Sequence, residues 1–211
     1  LGSKTEPNLR ACVVIVVFWS YFTIIFVMIY RISNNGEKNG INFAFIDSQN
    51  LNLGVKQTVV NKKTGKTIYV GWELSFPRFY IYLKDKYHVT KAFLFIGKVA
   101  GNEALYRSLE RAGFQLIFKP TFEITEEDGT KTRKGNVDAE LVLHCMIEYP
   151  NFDRAIIVSG DGDYRCLIEF LCDKKKLAKV LIPNRYRFSQ QLSAFSEYFD
   201  FVSDLRMKLK K

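Results

Sequence analysis

Residues 155–182 read AIIVSGDGDYRCLIEFLCDKKKLAKVLI. Ala155–Val158 is apolar without interruption, as a strand covered on both faces is. Ser159, Gly160, Asp161, Gly162 and Asp163 break the run, Tyr164–Cys172 reads as a helix, and Lys179–Ile182 (KVLI) is a second buried strand. A strand, a helix and another strand at this spacing form a crossover unit with parallel strands. The same alternation extends upstream. Ile41–Ile46, ending at Asp47, Lys91–Ile96 (KAFLFI) and Phe114–Phe118 (FQLIF) read as strands. Helices are expected at Ser75–Tyr87, where Pro77 sits in the first turn and Phe76, Phe79, Tyr80, Leu83 and Tyr87 make one stripe, and at Asn102–Ala112, closed by Gly113. Val137–Tyr149 and Ser189–Ser196 are the remaining helices, and Phe201 and Val202 a short edge strand. Two polar stretches interrupt the pattern. Val55–Val70, with Lys62, Lys63, Gly65 and Lys66, reads as an inserted hairpin or loop, and Glu123–Lys134 turns at Asp128 and Gly129. The expected class is α/β, a three-layer α/β/α sandwich with a central parallel sheet.

The 211 residues are 47% hydrophobic and 25% charged, which excludes a disordered chain. Five Pro and 13 Gly are too few for collagen-like or low-complexity sequence. Cys12, Cys145, Cys166 and Cys172 have no C-x-x-C spacing, so they read as buried free thiols of a reducing compartment rather than zinc or redox ligands. The 31 Lys and Arg against 22 Asp and Glu give a net charge of +9. Residues 11–30 (ACVVIVVFWSYFTIIFVMIY) carry no charge. At about 1.5 Å per residue such a helix spans roughly 30 Å, a bilayer's hydrocarbon core. The run is too long for a signal-peptide core, and no small-residue cleavage site follows it before Arg31. It reads either as a membrane anchor or as a stretch upstream of a translation start at Met28. The expected organisation is therefore an N-terminal segment 1–40 with a candidate transmembrane helix at 11–30, a globular domain 41–204 in the cytoplasm, and a basic tail 205–211.

In a parallel sheet, ligands bind outside the carboxyl ends of the strands, so the residues after each strand are the informative ones. Asp47-Ser48-Gln49-Asn50 follows the first strand, and Ser159-Gly160-Asp161-Gly162-Asp163 the fourth. Asp138 lies two residues past Asn136, an N-cap type for the Val137 helix, and one turn before Leu141 and Val142 of its apolar face, which continues to Cys145 and Met146. Taken singly, Asp47 suits a turn, Asp163 a helix cap and Asp138 a first helical turn. Gathered at one sheet edge, Asp47, Asp138, Asp161 and Asp163 repel one another unless a cation neutralises them. All-oxygen donors with no His beyond His88 and His144 suit Mg²⁺ or Mn²⁺ and not zinc. His144 reads as structural and His88 as a surface or capping residue.

Other chemistries fail on inspection. Gly65-Lys66-Thr67 resembles the end of a phosphate-binding loop, but Val60 stands where its first Gly belongs. Gly160 and Gly162 lack the third Gly of a dinucleotide fingerprint, and Gln49 stands where a haloacid dehalogenase-type phosphotransferase carries its second Asp. No Ser or Cys nucleophile has a plausible His partner.

Phe45-Ile46-Asp47-Ser48-Gln49-Asn50-Leu51, Lys134-Gly135-Asn136-Val137-Asp138 and Val158-Ser159-Gly160-Asp161-Gly162-Asp163-Tyr164 together resemble the NYN domain, a branch of the PIN-like nuclease superfamily. The resemblance covers about residues 41–204 with the motifs in order. It implies a compact α/β/α sandwich whose acidic pocket binds Mg²⁺ or Mn²⁺ and hydrolyses phosphodiesters, usually in RNA. By the same match Asp47, Asp138 and Asp161 are the core metal ligands and Asp163 the fourth acid. Asn50 and Ser159 occupy polar positions beside the pocket that orient water or phosphate. Gln49 departs from the small or polar residue common there, and the 55–70 and 123–133 insertions are unassigned.

The expected function is a metal-dependent ribonuclease acting on single-stranded RNA and leaving 5′-phosphate and 3′-hydroxyl ends. The alternative on the same fold is a non-catalytic RNA-binding or adaptor module. Arg185 and Arg187 follow the fifth strand at its carboxyl end and are expected to track a phosphate backbone. Lys174–Lys176 read as a solvated helix end, and Tyr164 and Tyr186 as base-stacking or packing residues. A membrane through residues 11–30 and a homodimer are further expected partners.

Overall fold

A computed structural model describes residues 40–119, 122–125, 131–134 and 138–211. The uncharged run 11–30, Cys12, the 128–129 turn and Asn136 lie outside the described residues. Among those described, no helix is long and apolar enough to cross a membrane.

The first strand, β1 (Asn42–Asp47), shows why the sheet is buried on both sides. Its Phe43 and Phe45 join one apolar cluster while Ala44 and Ile46 join another, and none of the four is more than 2% exposed. Helix α1 (Ser48–Lys56) follows directly. A small hairpin of β2 (Val59–Val60) and β3 (Thr67–Tyr69) leads to α2 (Phe76–Tyr87), which has Pro77 in its first turn and ends at His88 in the left-handed region (φ 52°). Next come β4 (Val89–Gly97), α3 (Glu103–Ala112), ended by Gly113 at φ 110°, and β5 (Gln115–Lys119). A second hairpin, β6 (Phe122–Thr125) and β7 (Lys131–Lys134), precedes α4 (Asp138–Ile147). The chain closes with β8 (Arg154–Val158), α5 (Arg165–Asp173), β9 (Leu177–Ile182), β10 (Phe199–Phe201) and the short helix α6 (Arg206–Leu209).

Six strands form one parallel sheet in the order β10-β9-β8-β1-β4-β5. The chain therefore winds outward from β1 in one direction, then returns past it and winds the other way. The reversal falls between β1 and β8, the switch point where such sheets leave a crevice at the strands' carboxyl ends. Phe43, Phe45, Phe93, Phe95 and Ile157 pack against Leu141, Cys145, Leu167 and Leu171 from α4 and α5. Ala44, Ile46, Leu94 and Val158 pack against Leu51, Val55, Phe79, Leu83 and Leu109 from α1, α2 and α3. These are the expected three layers. Each fully buried Val, Leu, Ile or Phe side chain contributes roughly 1.5–3 kcal/mol by leaving water.

Several local expectations change. Residues 48–56 form α1, for which no helix was expected. Ser189–Ser196 is not an α-helix but a run of 3₁₀ turns, Gln190–Tyr198, capped by Ser189 and interrupted at Phe195. The basic tail at 205–211 packs onto the domain: Leu209 is 1% exposed, and Lys210 bridges Leu74. Met146 turns outward. Cys145, Cys166 and Cys172 are free thiols, but Cys166 is exposed and Cys172 half-buried, so of these three only Cys145 is fully buried in the core.

Candidate active site

Asp47 ends β1, and its two carboxylate oxygens have different duties. Oδ1 accepts from the Asn50 N–H (2.9 Å), which makes Asp47 the N-cap of α1. Oδ2 accepts from the Tyr164 hydroxyl (3.2 Å), and the same hydroxyl donates more closely to Asp138 Oδ1 (2.6 Å). The single hydroxyl proton is thus shared unequally between a carboxylate at the end of β1 and one in the first turn of α4. Tyr164 itself is fully buried in the core. Burial, then the Asp47 charge and the Asp138 bond push its hydroxyl well above the usual phenol range, so it stays a donor. Burial also raises the Asp47 carboxyl, Asp138 adds to the rise, and the Asn50 N–H and Tyr164 bonds oppose it.

Asp161 supplies the third acid, from the loop after β8. Its Oδ1 caps the following 3₁₀ turn by accepting from the Asp163 N–H (3.2 Å). Ser159 Oγ accepts from the Asp161 N–H (3.1 Å), and Asn50 Oδ1 accepts from the Gly160 N–H (2.8 Å). Asn50 thereby ties the carboxyl end of β1 to that of β8. Gly162 is required by close approach, since a Cβ there would meet Ser189 Oγ.

These loops border a cavity of about 700 Å³ lined by Asp47, Asp138 and Asp161, with Asn50, Arg187 and Tyr186 among the other walls. Ser159 is 1% exposed and outside that lining; its hydroxyl shapes the loop. Asp163 is exposed and also outside it. Arg185 turns away, pairing with Asp204 (2.9 Å) and lying over the Phe201 ring (4.8 Å). Lys176 is structural: its Nζ donates to the Tyr149 and Phe152 carbonyls at the amino end of the sheet, opposite the cavity. His144 packs edge-on against Phe93 and Phe95, and His88 is exposed.

Among the described residues, no group of three or more His, Cys, Asp and Glu side chains stands close enough to hold a metal ion together. The donors still suit a hard cation of the Mg²⁺ kind, which keeps several waters and needs only one or two carboxylates. Asp47 and Asp138 would supply that pair, and burial together with the neighbouring Asp138 carboxylate, which raise the Asp47 carboxyl, disfavour its charged form in a way a bound cation would offset. Tyr164, which joins the pair, was only a stacking or packing candidate in the sequence. Its place directly after the Gly160–Asp163 loop was the available signal.

A doubly wound α/β domain with acids converging at its switch point is the architecture of the PIN-like nucleases. The chain belongs to the NYN domain family, whose model matches residues 43–202. NYN domains are PIN-like nucleases that generally act on RNA and typically use divalent metal ions. A protein of unknown function from Vibrio parahaemolyticus shares the fold, with a TM-score of 0.56 at 22% identity over 79% of this chain and 95% of that one. No curated protein matches the chain.

Proposed function

We propose that this protein is a metal-dependent ribonuclease that hydrolyses single-stranded RNA, acting in the cytoplasm. The observation that carries the reading is the convergence of Asp47 and Asp138 on the buried Tyr164 hydroxyl, in the wall of a cavity that Asp161 also lines. Asp47 and Asp138 would hold Mg²⁺ or Mn²⁺, with Asp161 facing the same space. The bound cation supplies charge neutralisation at the scissile phosphate and a water of lowered pKa. Tyr164 holds the two carboxylates in register through its shared proton. Arg187, exposed and paired with no carboxylate among the described residues, faces the phosphate backbone from the cavity rim. Asn50 Oδ1 and Ser159 Oγ fix the two loops, and Asn50 also stands in the cavity wall, where its amide N–H₂ would meet substrate or water.

The test is incubation of the whole chain with end-labelled single-stranded RNA and Mn²⁺, beside Asp161→Asn, which keeps an oxygen for the Asp163 N–H. The expected result is cleavage to 5′-phosphate ends that EDTA abolishes and the substitution removes. Cleavage unaffected by the substitution, or none by the unaltered chain, overturns it. A non-catalytic RNA-binding module is the second reading, favoured by the lack of a three-donor metal cluster among the described residues. RNA binding without cleavage in the same assay would establish it.

A further inference from the structure

The hairpin inserted after α1 meets the core only through Tyr69 at its root, and its roots stand beside the cavity. Gln57, which caps α1 and leads into β2, lines the cavity. Tyr69, which ends β3, lies 6.4 Å ring to ring from Tyr186, which lines the cavity. The roots are firmly held. The Tyr69 hydroxyl donates to the Val55 carbonyl (2.8 Å), the Trp72 N–H reaches the same carbonyl (3.2 Å), and Gly71 lies so close to the Lys56 carbonyl that a Cβ would collide with it.

The tip is ordered as well. Asn61 bonds through its backbone to Lys66 (2.8 Å) and Gly65 (2.9 Å), and its Oδ1 accepts from the Lys63 N–H (2.9 Å) and Thr64 N–H (3.2 Å). Gly65 takes φ 68°, which a side chain would resist. This tight turn presents Lys62, Lys63 and Lys66 together, all exposed and in no ion pair among the described residues. From Ser48 to Trp72 there is no Asp or Glu to neutralise them. Lysines that protect a sheet edge from mispairing lie along the strands. These lie in the turn, at the far end of an arm that reaches about 16 Å from Gln57 at about 3.3 Å per residue.

We infer that the β2–β3 hairpin is an RNA-guiding arm: Lys62, Lys63 and Lys66 hold backbone phosphates of a single strand whose adjoining segment crosses the Tyr186 ring into the acidic cavity. The positive tip compensates for an acidic cavity that by itself repels a polyanion. Tyr186, half exposed and braced by its backbone N–H to Asn184 Oδ1 (3.0 Å), offers a face to any base. The inference rests on the RNA-cleaving reading above.

The experiment measures binding of a fluorescein-labelled 20-nucleotide single-stranded RNA by anisotropy across a salt series, for the unaltered chain and for Lys62→Gln/Lys63→Gln/Lys66→Gln. Each phosphate neutralised on a single strand contributes about 0.7 to the log–log salt slope, so losing all three lowers the slope by about 2 and weakens binding at low salt by roughly tenfold or more. An unchanged slope in the triple variant overturns the arm while leaving the ribonuclease reading intact. Loss of binding to phosphatidylserine vesicles with the RNA slope unchanged overturns it in favour of a membrane contact. Absence of RNA binding by the unaltered chain overturns both.

Discussion

Tyr164→Phe removes one oxygen atom from a side chain that is otherwise core. The phenyl ring still fills its place among Leu167, Leu192 and the α4 residues, so no cavity opens. What is lost is a hydroxyl donating to two carboxylates at 2.6 and 3.2 Å. Hydrogen bonds to charged acceptors are worth about 1.5–3 kcal/mol, and the two carboxylate oxygens left without the hydroxyl border the cavity, so about 2 kcal/mol is expected. For a domain of this size that is a fall in Tm of about 4–8 °C. The functional consequence is separable from stability. Tyr164 is a positioning residue, and partners that orient metal-binding carboxylates are worth about 10–100-fold in affinity or activity. The Mn²⁺ concentration for half-maximal cleavage should rise by that factor, with activity recovered at high Mn²⁺. Because the Tyr164 bond holds the Asp47 carboxyl down, its loss also moves the acidic limb of the pH profile upward. Thermal melts and a Mn²⁺ titration of RNA cleavage read both effects. Identical melting and an identical Mn²⁺ midpoint would refute the claim that this hydroxyl organises the site.

Arg187→Gln should weaken RNA binding, whereas Arg185→Gln, whose guanidinium is engaged by Asp204 and Phe201, should leave the RNA salt slope unchanged; anisotropy titrations of the two variants check the contrast. His144 is held neutral because burial between Phe93 and Phe95 lowers its pKa below 6.5, and its Nε2 is buried without a hydrogen-bond partner among the described residues. The unfolded chain therefore binds the extra proton, so stability conferred above pH 6.5 is lost as the pH falls through and below that value. His144→Leu should shrink the drop in Tm between neutral and mildly acidic buffer, and an unchanged drop would assign the acid sensitivity elsewhere.

The sheet was legible because its strands are two-sided. Phe43-Ala44-Phe45-Ile46 and Ala155-Ile156-Ile157-Val158 send alternate residues to both helical layers, and only a continuous apolar run satisfies that environment. Helix α1 was illegible for the opposite reason. Ser48, Asn50, Asn52 and Gly54 are poor helix formers, and the nine residues present only Leu51 and Val55 to the core. What makes them helical is tertiary: the Asp47 cap, two fully buried side chains, and Gly54, where a Cβ would meet Pro183. The terminal 3₁₀ run misled in the same way, because its apolar spacing suits either helix type. Among the site residues, Arg185 and Arg187 have the same charge and lie two apart, and nothing local tells which one Asp204 will claim.

Asp47 and Asp161 shape the local backbone and line the cavity at once, and both follow directly on buried strands, which is where the sequence pointed to them. Asp47 caps α1 with one oxygen and meets Tyr164 with the other; Asp161 caps its 3₁₀ turn and lines the cavity; Asn50 ties together the two loops on either side of the switch point. A residue committed to a cap holds its carboxylate in one orientation, so the fold has already met the entropic cost of aiming it. The same economy governs how variants must be interpreted. Asparagine at position 161 keeps an oxygen for the cap while removing the charge, whereas at 47 it would also set an amide N–H₂ against the Tyr164 hydroxyl. Alanine removes both, and a dead alanine variant would not distinguish a lost metal ligand from an unravelled helix start. The charge-only substitution at position 161 therefore isolates the chemistry of this site.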